Sequence, residues 1–213
     1  MGKQFKGPFS GFVGKTGGLV GRYVKGQFII TSVPMRSKKP PTQQQLDQRS
    51  KFALIVNFCS YISELINIGF AAHAVKLSAM NAAVAYNLDH AITGISPLFT
   101  LDYPHFSYSR GKLYNVSDVE VEALAGAKLK FTWTMSQNLV KLNNPSDQLS
   151  LLVYNPTKQQ YVVLTHAALR SALTYTLQLP ADFAPDDVYC YLALQSTDAI
   201  VSNSYYAGNL AVL

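Results

Sequence analysis

Lys128-Leu129-Lys130-Phe131-Thr132-Trp133-Thr134-Met135 alternates strictly, with Leu129, Phe131, Trp133 and Met135 on one side and Lys128, Lys130, Thr132 and Thr134 on the other. A period of two over eight residues is that of a strand with one face in a core and one in water. The same period brackets this stretch. Upstream, Val119, Val121 and Ala123 oppose Asp118, Glu120 and Glu122; downstream, Leu173, Tyr175, Leu177 and Leu179 oppose Thr174, Thr176 and Gln178. Further strands are predicted at Leu149–Tyr154, Tyr161–Thr165, Val188–Gln195 and Val201–Ala207, with turns such as Asn143-Asn144-Pro145 and Asn155-Pro156-Thr157 between some of them. About seven short strands at this spacing point to an antiparallel β-sandwich over residues 104–213, immunoglobulin-like in architecture. Trp133 has only Cys190 for company, so the paired cysteines of antibody domains are missing.

Upstream of the sandwich the period changes. Thr42-Gln43-Gln44-Gln45 reads as a capping box, with Thr42 as N-cap and Gln45 at the third helical position. The helix it opens is predicted to run to about Asn67, before Gly69. Two apolar stripes follow it, Phe52, Ile55, Cys59, Ile62, Ile66 and Leu54, Phe58, Tyr61, Leu65, Ile68. So wide an arc must be covered on two sides, by the body and by the arm, a second helix or a neighbouring subunit. A second, Ala-rich helix is predicted around Ala79 to His90. Residues 42–103 thus form a helical segment, and the whole is an α+β chain.

Residues 1–41 differ from both. Glycines recur from Gly2 to Gly26, interleaved with large apolar residues, which a merely flexible linker would lack. Leu19 to Val24 and Gln27 to Thr31, separated by Lys25-Gly26, form a predicted hairpin within an otherwise extended, basic assembly arm. A lone hairpin is marginal in water and needs a partner surface. The candidate subunit-interface residues are Phe5, Phe9, Phe12, Val20, Tyr23, Phe28, Ile29 and Ile30; those for electrostatic docking are Lys15, Arg22, Lys25, Arg36, Lys38 and Lys39. Pro34 and Pro40-Pro41 mark an extended link into the helix.

Composition narrows the function. The chain is 48% hydrophobic and only 14% charged, which excludes extensive disorder. Charge is uneven: residues 1–51 hold ten Lys/Arg against Asp47 alone, net +9, leaving the rest with eight Lys/Arg and eleven Asp/Glu, net −3. Such asymmetry suits nucleic acid, an acidic membrane or the body of another copy. No apolar leader follows Met1, so synthesis in the cytoplasm is the expectation, with a virion or extracellular filament as possible destinations. The most apolar stretch, Phe52 to Ala72, is interrupted by Asn57, Glu64 and Asn67 and does not read as a membrane span.

The sequence carries no recognisable catalytic or ligand-binding constellation. Gly14-Lys15-Thr16 resembles the end of a phosphate loop, but Phe9 stands where the motif needs its first Gly. His73, His90, His105 and His166 are scattered without ligand spacing, Glu120 and Glu122 read as solvent-facing, and Cys59 and Cys190 read as buried thiols. No catalytic residue, metal site or cofactor is predicted, and the chain is expected not to be an enzyme.

Three stretches nevertheless form a pattern: Gly11-Phe12-Val13-Gly14-Lys15-Thr16-Gly17, then Val20-Gly21-Arg22-Tyr23-Val24-Lys25-Gly26, then Pro40-Pro41-Thr42 with Gln45-Leu46, Gln48-Arg49 and Lys51-Phe52. With Ile200-Val201-Ser202-Asn203-Ser204 and Gly208, the chain resembles, over essentially its whole length, a family from Bacteroidota and their phages known only as a domain of unknown function. Where that family has Trp before the Lys-Gly pair, this chain has Val24. The resemblance implies no activity; a phage or mobile-element setting fits a structural protein. The leading expectation is therefore a self-assembling subunit, forming a filament, tube or particle through its arm. A nucleic-acid binder using the basic arm, or a protein- or carbohydrate-binding module, is the alternative.

Overall fold

The computed structural model describes residues 2–4, 11–35, 39–75, 77–135 and 143–213, and the chain divides into two compact units, Met1–Thr42 and Gln43–Leu213. In the first, the predicted hairpin is present as β3 (Leu19–Val24) and β4 (Gln27–Ser32). It is the centre of a larger structure. β1 (Gly2–Gln4) pairs with β4 and β2 (Gly14–Thr16) with β3, giving a four-stranded antiparallel sheet in the order β1-β4-β3-β2 where an extended arm was expected. Lys25 and Gly26 both have positive φ, 47° and 78°, the geometry of the two-residue turn whose twist suits a hairpin.

The second unit begins with α1 (Gln43–Tyr61), which starts immediately after Thr42, and α2 (Ser63–Gly69). The single helix of the sequence reading is two, bent by 92° at Ile62. α3 follows at Ala79–His90, capped by Ser78, whose hydroxyl accepts from the Asn81 N–H at 3.2 Å. A small hairpin, β5 (Ile92–Ile95) and β6 (Leu98–Leu101), was not anticipated. Among the described residues no single helix is long and apolar enough to cross a membrane; the bent α1–α2 pair reaches that length only in combination.

The sandwich comprises β7 (Ser117–Leu124), β8 (Lys128–Thr134), β9 (Gln148–Asn155), β10 (Gln160–Leu169), β11 (Thr174–Gln178), β12 (Asp187–Gln195) and β13 (Tyr205–Ala211). All pair antiparallel, in a three-stranded sheet β11-β8-β7 and a four-stranded sheet β10-β9-β12-β13. Between the sheets, Leu129, Phe131 and Trp133 meet Leu149, Leu151, Val153, Cys190 and Leu192, all buried. The register then explains why β9 and β12 read as nearly unbroken apolar runs. Their alternate residues Leu152, Tyr154, Tyr191 and Ala193 face the other way, into a second core with Ile55, Phe58, Cys59, Ile62, Leu65 and Ile66 of the helices. The unit is therefore three layers deep: helices, four strands, three strands. α3 packs beside α1 and α2 and adds Ala83 and Val84 to that core, covering the second side of the helical apolar arc. Phe52 and Tyr61 stay exposed.

Candidate assembly interface

The parity of the first unit's sheet sorts the residues that the sequence pooled. Directly paired residues in an antiparallel ladder share a face. Tyr23 pairs with Phe28 and Gly21 with Ile30, so Leu19, Tyr23, Phe28 and Ile30 lie together on one face. Phe12 joins them, its ring lying where a side chain on Gly21 would stand. Only Gly lets the ring approach the backbone so closely. The Tyr23 and Phe28 rings meet at 4.7 Å between centroids, tilted by 50°. Lys15 pairs with Val20 and Arg22 with Ile29, which puts both cations, with Val20, Val24 and Ile29, on the opposite face. Lys25 sits in the turn.

One face is thus aromatic and the other cationic and β-branched. Neither is covered well. Among the described residues of this unit only Gly21 is buried; Tyr23 is 58% exposed and Val13 62%, with Leu19 and Val24 also open. Lys39 is exposed, and Phe5, Phe9, Arg36 and Lys38 lie outside the described residues.

Other sequence candidates have structural settings. Gly14-Lys15-Thr16 is strand β2, hydrogen-bonded to β3, a geometry that cannot cradle a phosphate at a helix start. Glu120 and Glu122 are on the exposed face of β7. His105 and Asp102 pair at 2.9 Å on the surface, while His90 Nδ1 bonds the Tyr86 carbonyl oxygen at 2.8 Å. Burial pushes both thiols up to about 12, so Cys59 and Cys190 are unreactive core side chains at neutral pH. Among the described residues no group of three or more His, Cys, Asp or Glu converges as a metal site.

Two features of the second unit escaped the sequence reading. A pocket of about 490 Å³ opens between α1, β6 and the β9–β10 turn, lined by aromatic rings including Phe58, Tyr61, Tyr103 and Tyr161. The Tyr154 phenol lies between those of Tyr103 and Tyr161; burial first, then this neighbour, raises both well above the ordinary phenol range. The second feature is a set of buried polar groups: Asn87 holds Ser107 through its side chain, Ser109 Oγ donates to the Ser202 carbonyl at 2.6 Å, and Ser202 Oγ accepts from the Leu194 N–H at 2.9 Å. This network fixes the Val201-Ser202-Asn203 segment against the 107–116 loop. It gives a structural role to the C-terminal motif, whose Asn and Ser residues satisfy backbone groups that no strand partner reaches.

No curated protein matches the chain. A family model does, over residues 11–208, and so spans both units and nearly all of the motifs quoted above. The chain belongs to DUF6266, a family of unknown function.

Proposed function

We propose that the protein is a structural subunit that assembles with copies of itself, the N-terminal sheet of one molecule docking on the body of the next. One observation carries this reading: a four-stranded sheet whose described side chains include no buried apolar residue, yet whose one face gathers Phe12, Leu19, Tyr23, Phe28 and Ile30. A sheet needs an apolar layer on at least one side to be stable. Rings clustered on a face that leaves Tyr23 and Leu19 exposed and buries none of its apolar side chains mark an interaction surface. A head-to-tail contact of this kind propagates into a polymer unless its rotation closes.

The same geometry weighs against the nucleic-acid reading. A single strand is held by cations and stacking rings acting together from one surface. Here Lys15 and Arg22 face away from Tyr23 and Phe28.

The test is a comparison of the full chain with residues 43–213 by light scattering and negative-stain microscopy. The full chain is expected to form large assemblies and the shorter chain to remain a folded monomer, since both hydrophobic cores lie within it. Tyr23→Ser with Phe28→Ser in the full chain should give the same loss. Assemblies that persist without residues 1–42 overturn the proposal.

A further inference from the structure

We propose that a cleft in the second unit, distinct from the assembly surface, binds a small oxyanion carrying an apolar group. The cleft measures about 620 Å³, within the usual range for ligand sites, and lies between the end of α2, the 110–112 loop and residues 199–203. Its polar lining is donor-rich and contains no carboxylate: Arg110, Lys112, Asn203 and His73, set against Ile68 and Ile200.

Arg110 carries the argument. It is half-buried, and its guanidinium lies over the Tyr86 ring, 4.1 Å from the centroid; Tyr86 is in turn stacked on His90 at 4.1 Å. The ring contact holds the guanidinium in place through a cation–π interaction that uses none of its N–H groups as hydrogen-bond donors. Among the described residues no carboxylate pairs with Arg110 or Lys112, and no acceptor takes a hydrogen bond from either side chain. A half-buried, oriented and unpaired guanidinium is a ready partner for a carboxylate or phosphate.

The surroundings are fixed in advance. The Arg110 N–H donates to the Gly69 carbonyl at 3.0 Å, and the Leu113 N–H to that of Val201 at 3.0 Å. Asn203 Oδ1 accepts from the Gly111 N–H at 3.1 Å, which leaves the Asn203 amide N–H₂ as a donor. Gly111 has no room for a side chain, since a Cβ there would run into the Val201 carbonyl. The loop that carries both cations is thus held against the 199–203 segment before any ligand arrives, so little ordering is needed on binding. The apolar wall beside the cations selects an anion with a hydrocarbon part over a bare inorganic ion.

Octanoate is the probe and octanol its uncharged control, titrated calorimetrically into the full chain at low salt. Saturable octanoate binding is expected at concentrations below about 10 mM, with octanol at least tenfold weaker. Arg110→Gln should weaken octanoate by about tenfold or more, the usual worth of charge-assisted hydrogen bonds, while Lys128→Gln, an exposed cation on β8, leaves it unchanged. Should Arg110→Gln fold poorly, Ile200→Glu supplies an independent test, because Ile200 is partly exposed and a carboxylate there repels the anion. Equal binding of octanoate and octanol, no saturation, or octanoate affinity indifferent to both substitutions overturns the proposal.

Discussion

Arg170 is fully buried, and everything around it answers its charge. Its guanidinium meets Asp147 Oδ2 at 2.9 Å through one terminal nitrogen and at 3.0 Å through Nε, and donates to the carbonyls of Tyr114 at 2.7 Å and Asn115 at 3.4 Å. Its own carbonyl accepts from Trp133 Nε1 at 2.8 Å. One residue, through its side chain and its backbone carbonyl, therefore joins the β9 entrance, the 114–115 loop and the core tryptophan. Removing one partner of such a pair strands the other charge in a medium that cannot solvate it. Arg170→Met is expected to lower stability by about 3–5 kcal/mol in urea unfolding, and Arg170→Met with Asp147→Leu to recover much of that loss. A single substitution as mild as a surface charge change, below about 0.5 kcal/mol, would show the pair to be solvated. The core place of Trp133 was legible from alternation alone. The ion pair was not, because Arg170 and Asp147 stand 23 residues apart and each looks like an ordinary loop charge until the strands bring them together.

Helices and strands were legible wherever one face met water, and less so where tertiary contact decides. α3 falls at Ala79–His90, as the Ala-rich pattern indicated, and β7, β8 and β11 follow their alternation closely. β13 runs Tyr205–Ala211, later than expected, because Val201 and Ser202 make isolated bridges to Gln195 and Leu113 and do not join the ladder. The break at Ile62 has no Gly or Pro to announce it. The apolar stripes continue through it, and the bend lets α2 follow the four-stranded sheet with Leu65 and Ile66 buried. α2 ends at Gly69, which lies so close to the 108–109 segment that an added Cβ would collide with the Tyr108 carbonyl and stand 2.6 Å from Ser109 Cα. Both obstacles are backbone, which does not yield as a flexible side chain does. Gly69→Ala is therefore expected to cost about 1–3 kcal/mol, even though Ala is the better helix former. The measurement is the chemical unfolding midpoint; a gain in stability would mean that the helix end and the 108–109 backbone move apart freely.

At the scale of the molecule, sequence periodicity told which side chains are apolar but not which layer they meet. Ile55, Phe58 and Cys59 belong to the helical segment that the sequence sets apart from the sandwich, and they share a core with Leu152 and Tyr191 of its strands. The sheet of the first unit was half legible: Lys25-Gly26 named the central hairpin, while β1 and β2, at three residues each, are too short to carry a period. Its two faces make distinct demands on the proposed assembly. Residues 1–42 hold eight Lys/Arg and no Asp/Glu, net +8, and residues 43–213 hold ten against twelve, net −2. A body of net −2 supplies little ionic affinity, but a field of opposite sign still speeds encounter. The affinity itself then falls to the aromatic face, whose contribution is insensitive to moderate salt. Raising NaCl from about 20 to 200 mM shortens the screening length from roughly 20 Å to 7 Å. The growth rate followed by time-resolved light scattering should therefore fall several-fold, while the final extent of assembly stays nearly constant. If the final extent collapses with salt, the cationic face bearing Lys15 and Arg22 makes the contact and the aromatic face does not. A rate that ignores salt removes charge from the encounter altogether and leaves Phe12, Tyr23 and Phe28 to find the neighbour by diffusion alone.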